Sequence, residues 1–223
     1  MAKRANARGP TRRVSRELLA KIKPRQFSGT VYRFIGSRFL SAPLASAGSK
    51  LQGGRFNSPG RFEVLYTAIA ADTALAEREG ILLTDAAIKA ARAVRTGVLL
   101  RIACHLTGVL DLTDERVRQR LEISLPNLTG PWLPWNARTD APGDAVEAVA
   151  PSQRIGLSVY ASRRFEAILA PSAKDAKGCC LAIFPDRLQP GSRVVIDDPQ
   201  GIISSALGLR RRAETEKQAP GRR

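Results

Sequence analysis

The sequence predicts a single mixed α+β domain, on three observations. A chain of 223 residues with 43% hydrophobic residues is long enough to bury one substantial core. Short strand-like apolar runs alternate with helical stretches, but without the β-α-β regularity of a doubly wound parallel sheet. No internal repeat points to a solenoid or a propeller.

The elements follow in order. Ser15–Lys23 reads as a short helix stopped by Pro24, so the folded domain is expected to begin near Phe27. Gly29–Phe34 has strand propensity around Arg33, from Val31, Tyr32 and Phe34. From Ser41 to Gly60 the chain is dense in small residues and Pro, ending in Gly53-Gly54-Arg55-Phe56-Asn57-Ser58-Pro59-Gly60, a pattern of tight turns and close backbone approach. Glu63–Ala68 reads as a strand, and Asp72 is placed to cap a helix that runs through Glu77. Asp85–Val94 is alanine-rich and helical. Two strands are expected at Gly97–Cys104 and Gly108–Leu112, then a polar helix at Asp114–Leu121. Residues 126–143, with Trp132 and Trp135 between prolines, read as a long irregular and functional loop. A helix at Ser152–Ser162 leads into strands at Glu166–Ala170, 179–184 and 193–197.

The formal net charge of +16 suggests nucleic acid at first sight. Its distribution weakens that reading. Residues 1–26 hold nine Lys or Arg against Glu17, and residues 208–223 hold six against Glu214 and Glu216. The segment 27–207 keeps 21 basic and 17 acidic residues. The expected organisation is therefore a basic extension at 1–26, the domain at 27–207 and a basic tail at 208–223, with at most non-specific nucleic-acid binding through the tails. The basic start lacks the apolar stretch of a secretory signal and no run is long enough for a membrane span, so a cytoplasmic protein is expected. Cys104, Cys179 and Cys180 form no disulfide framework or zinc motif and are expected to be buried thiols.

Several chemistries lack their parts. His105 is the only histidine, which leaves little for a Ser-His-Asp triad or a histidine metal site, and it is expected to be structural. Neither a phosphate-loop motif nor a GxGxxG following a strand is present. What remains is a set of polar residues in apolar or turn-forming segments: Arg33, Arg55, Asn57, Tyr66 and Glu77. Taken singly, each is most simply a surface residue.

Their order is more informative. Val31-Tyr32-Arg33, the Gly53–Gly60 run, Tyr66-Thr67-Ala68 and Ala74-Leu75-Ala76-Glu77, with Glu77 eleven positions after Tyr66, resemble the amino-terminal half of the RES domain family. Ser152-Gln153-Arg154-Ile155-Gly156 and Ile168-Leu169-Ala170-Pro171-Ser172-Ala173 resemble its later helix start and PSA strand. Phe56 stands where tryptophan is commoner, and Gly178-Cys179-Cys180-Leu181 where many members carry an asparagine.

The resemblance implies a fold similar to ADP-ribosyltransferase toxins, NAD⁺ as substrate and no metal. Glu77 and Arg33 are implied as catalytic. Arg55, Phe56, Asn57, Tyr66 and Ser172 are implied to bind NAD⁺. Cleavage of the nicotinamide–ribose bond builds positive charge on the ribose, which a carboxylate stabilises, and planar guanidinium groups match phosphate oxygens. Phe56 and Tyr66 are expected to stack on a ring, and Ser172 to orient a ribose or amide group. The resemblance further implies a toxin that depletes NAD⁺ by phosphorolysis or hydrolysis, paired with an Xre-like helix-turn-helix antitoxin. A mono-ADP-ribosyltransferase acting on a host protein is the alternative, and a basic nucleic-acid-binding module the third reading.

Overall fold

The computed structural model describes residues 14–82, 97–136, 149–203 and 206–208. The Asp85–Val94 helix expected from the sequence lies outside them.

The order is α1 (Arg16–Ala20), β1 (Arg25–Gly36), α2 (Ala47–Gln52), β2 (Leu65–Ala68), α3 (Ala71–Leu82), β3 (Gly97–Asp111), α4 (Glu115–Arg120), α5 (Leu125–Thr129), α6 (Leu133–Asn136), α7 (Pro151–Ser162), β4 (Ala167–Pro171), β5 (Cys179–Ile183), β6 (Arg193–Ile196) and β7 (Ala206–Gly208). The sheet order is β1-β2-β5-β4-β3-β6-β7, and an added β1–β3 pairing closes the first five strands into a ring. One register pair, Tyr32 with Ala68, joins β1 to β2, whereas β1 and β3 pair along almost their whole length. The β3–β4 pair is parallel and the other pairings are antiparallel.

Alternation sorts the side chains into two cores. Val31, Ile35, Leu65, Leu100, Ile102, Leu169, Leu181 and Ile183 form one, drawn from all five ring strands. Ile168, Ala170 and Ala182, from the opposite face of β4 and β5, and Val64, just before β2, meet Phe56, Phe62, Ile155, Val159 and Leu19 in the other.

Three expectations change. Val14, Leu19 and Ile22 are core residues and β1 starts at Arg25, so the fold reaches back before Phe27. Leu19, fully buried, contributes about 2 kcal/mol to that anchoring. The two strands expected at 97–112 are one, because buried Leu100, Ile102, Cys104 and Leu106 alternate without a break through His105 and Thr107. The segment expected to be irregular from Pro126 carries α5 and α6, with Leu128 fully buried, and residues 137–148 lie outside the description. The polar helix is found as expected, with Asp114 accepting from the Arg116 N–H as its cap. His105 is held at Nδ1 by the Ser28 hydroxyl at 2.6 Å.

Candidate active site

The glycine-rich turn is built from inside. Asn57, fully buried, donates through Nδ2 to the carbonyls of Ser49 (2.7 Å) and Phe62 (3.0 Å). Its Oδ1 accepts from the Tyr66 hydroxyl at 2.7 Å, and that hydroxyl accepts from the Phe56 N–H at 2.8 Å. Buried Gln153 on α7 donates to the carbonyls of Gly54 (3.0 Å) and Asn57 (3.3 Å) and accepts from the Ala150 N–H. Two glycines permit this packing. A Cβ on Gly54 would lie 2.6 Å from the Tyr66 ring, and one on Gly156 would lie 1.8 Å from the Phe56 carbonyl oxygen.

With the turn held, Arg55 leaves it sideways. Its Nη1 donates to the carbonyls of Leu128 (2.9 Å) and Gly130 (2.8 Å), at the end of α5. Burial lowers the guanidinium pKa, and the neighbouring Glu77, Cys180 and Tyr66 push it back up.

Glu77, on α3, receives three donors on one oxygen. The Ser172 hydroxyl (2.6 Å), the Ala173 N–H (3.0 Å) and the Cys180 thiol (3.7 Å) all reach Oε1. The Ser172 oxygen in turn accepts from the N–H groups of Lys174 (3.1 Å) and Asp175 (3.0 Å). Both of its lone pairs are thereby used, so its one hydrogen is committed to Glu77. Strand register places Tyr66, Cys180 and Ser172 together: Ala68 opposes Cys180, Tyr66 opposes Ala182, and Ala170 opposes Cys180. Burial, and then the Glu77 charge, push the Cys180 thiol up to about 12.

Of the residues expected at the site, Arg55, Tyr66, Glu77 and Ser172 come together. Phe56 and Asn57 are corrected. Phe56 is 1% exposed and packs in the core, and Asn57 spends its amide on the turn, so both support the site from behind instead of facing a ligand. Ser172 is corrected in role, because its saturated hydroxyl orients Glu77. Tyr66 uses its hydroxyl on the turn, and burial raises its pKa.

Arg33 stands apart. Strand alternation puts it on the face of β1 that carries Val31 and Ile35, while Tyr32 shares a face with Ala68. Arg33 Nη2 donates to the Ala45 carbonyl at 3.0 Å, and Nη1 is buried with no hydrogen-bond partner. Burial alone lowers its pKa to about 10. Among the described residues, no hydrogen bond or ion pair joins it to Glu77.

Cys180 and Gln153, which the sequence offered only as parts of the Gly178–Leu181 departure and of the Ser152–Gly156 helix start and not as site residues, are neighbours of the site in the structure. The signal for Cys180 was its even spacing from Ala182 on a strand whose alternate residues, Leu181 and Ile183, are apolar. Cys104 is buried, but Cys179 and Cys180 are only partly so, which corrects the expectation for the pair. Among the described residues no group of three or more His, Cys, Asp or Glu is arranged to hold a metal ion, and no helix is long and apolar enough to cross a membrane.

A family model described as RES domain matches residues 30–204. No curated protein matches the chain. Among solved structures, the crystal structure of the M. tuberculosis MbcT-MbcA toxin-antitoxin complex is similar with a TM-score of 0.54 at 20% identity, covering 86% of this chain and 91% of that one. At that identity the likeness is one of fold.

Proposed function

Because the chain belongs to the RES domain family, we propose that it is the toxin of a toxin–antitoxin pair and cleaves the nicotinamide–ribose bond of NAD⁺. The observation that carries this reading is the Glu77 carboxylate. Three donors hold Oε1, and among the described residues no protein group bonds Oε2, which leaves that oxygen for substrate. When the C1′–N bond breaks, nicotinamide departs with the bonding pair and positive charge develops on the ribose. A carboxylate already oriented by donors stabilises that charge without reorganising. Arg55 supplies a guanidinium beside Glu77 for a pyrophosphate oxygen, through the nitrogens that α5 does not occupy. The fold shared with the toxin of the MbcT-MbcA complex supports an antitoxin partner, for which we propose an Xre-like helix-turn-helix protein.

Purified protein incubated with NAD⁺ should release nicotinamide, measured by chromatography. Glu77→Gln keeps the size of the side chain and removes its charge, and should lower kcat by at least about 100-fold. Undiminished turnover in that variant would remove Glu77 from the chemistry. A rate that rises with inorganic phosphate, with ADP-ribose 1″-phosphate as product, assigns phosphorolysis, and a phosphate-independent rate assigns hydrolysis. Label transferred from NAD⁺ to a lysate protein would instead assign ADP-ribosyl transfer.

A further inference from the structure

We propose that Thr73 and Asp175 form a latch that positions Glu77, an inference that rests on the reading of Glu77 as the reacting carboxylate. Thr73 and Glu77 are four residues apart on α3 and so lie on one face of the helix. Both bond the same short loop, residues 172–178, which joins β4 to β5. Glu77 meets its start through Ser172 and Ala173, and Thr73 meets its middle, where the Thr73 hydroxyl donates to Asp175 Oδ2 at 2.6 Å.

The loop is braced for this purpose. Asp175 Oδ1 accepts from the Lys177 N–H, the Gly178 N–H donates to the Asp175 carbonyl, and the Ser172 N–H donates to the Gly178 carbonyl at 2.9 Å. The helix and loop approach so closely that a Cβ on Gly178 would sit 2.4 Å from both Asp175 Oδ2 and Thr73 Oγ1. Thr73 is fully buried although polar, and Asp175 is the hydroxyl's partner. The bonds of Glu77 itself tie α3 to the start of the loop only, and the Thr73 bond adds a second tie one turn earlier. Two attachments one helical turn apart fix both the depth and the rotation of Glu77. Thr73 and Asp175 touch no reacting atom; they are positioning residues.

The test uses the full chain with Thr73→Val, Thr73→Ser and Asp175→Ala. Thr73→Val keeps the shape and loses the hydroxyl, and should lower kcat for NAD⁺ consumption roughly 10-fold or more while KM stays within about twofold, because a misplaced group costs rate and not binding. Thr73→Ser should restore the rate. Asp175→Ala lies on the exposed loop and should reproduce the Thr73→Val loss if the buried substitution fails to fold. A second readout is independent of turnover. Opening the latch loosens the wall around Cys180, so its alkylation by iodoacetamide, followed by mass spectrometry, should quicken several-fold in Thr73→Val and Asp175→Ala and not in Thr73→Ser. A wild-type protein that leaves NAD⁺ intact would sink the functional reading, and the Cys180 rates would still decide the latch. Unchanged Cys180 rates, a loss in KM instead of kcat, or a loss in kcat that follows a fall in Tm would each overturn it.

Discussion

Cys180 lies 3.7 Å from Glu77 Oε1, and its thiol is pushed up to about 12 by burial and then by that carboxylate. Almost no thiolate exists there at neutral pH, and the thiolate is the form that attacks alkylating agents. Cys104 is likewise raised to about 12 by burial. Iodoacetamide at pH 7.5 should therefore label neither residue in the native protein within the time that labels all three cysteines in denaturant, as read by intact mass. Rapid native labelling of Cys180 would contradict the environment described for it. At this scale the sequence was legible where a residue's type dictates its partner and opaque where contact decides. Glu77 on an alanine-rich helix and Arg55 in a glycine turn were readable as candidates. The burial of Phe56 and the commitment of Ser172 to Glu77 were not, because both depend on how α7 and the 172–178 loop pack from more than ninety residues away.

The helix α7 and the glycine-rich turn are in contact at the level of backbone. Gln153 spans the gap with hydrogen bonds, and Gly156 makes the approach possible. Gly156→Ala would place a methyl group 1.8 Å from the Phe56 carbonyl oxygen, so the two elements must separate. Overpacking of this kind costs about 1–3 kcal/mol. The urea midpoint should fall accordingly, with kcat falling further than stability as the turn carrying Arg55 moves. A stability equal to the parent would mean that the turn yields without cost. Element types were well predicted by periodicity: α7, β4, β5 and β6 fall where alternation and apolar spacing put them. The division of β3 failed because His105 and Thr107 look like a break, whereas they are the outward members of an alternation that continues past them. The short helices α5 and α6 escaped detection because prolines dominate the composition of their segment, and Pro126 is tolerated in the first turn of α5.

For the whole molecule, the basic ends remain outside the described residues. Residues 1–13 carry five basic residues and no acid, and residues 209–223 carry six basic against two acidic. Charge of that density binds polyanions through counterion release and not through shape. Retention on immobilised RNA should fall steeply between 50 and 200 mM salt, on the order of 10³-fold for about six phosphate contacts. It should be lost when both segments are removed, while NAD⁺ turnover persists. Salt-resistant retention by the truncated protein would point to a nucleic-acid surface on the domain itself. The α+β class was legible from the mixture of elements. The closed ring was not, because it is made by pairings between distant segments, β1 with β3 and β2 with β5, that no local pattern encodes.

The same distance has a consequence during synthesis. Glu77 and the Cys180 beside it are 103 positions apart, and Ser172 and Ala173 also follow far behind. β5 is the strand that joins β2 to β4, so the wall around the carboxylate does not exist until residue 183 has left the ribosome. At about 5–20 residues per second, that is an interval of roughly 5–20 s in which Glu77 is made but unsupported. Each ribosome making the chain therefore carries Glu77 without its supporting wall for that interval, and the donors to its carboxylate arrive only with the last strands of the ring.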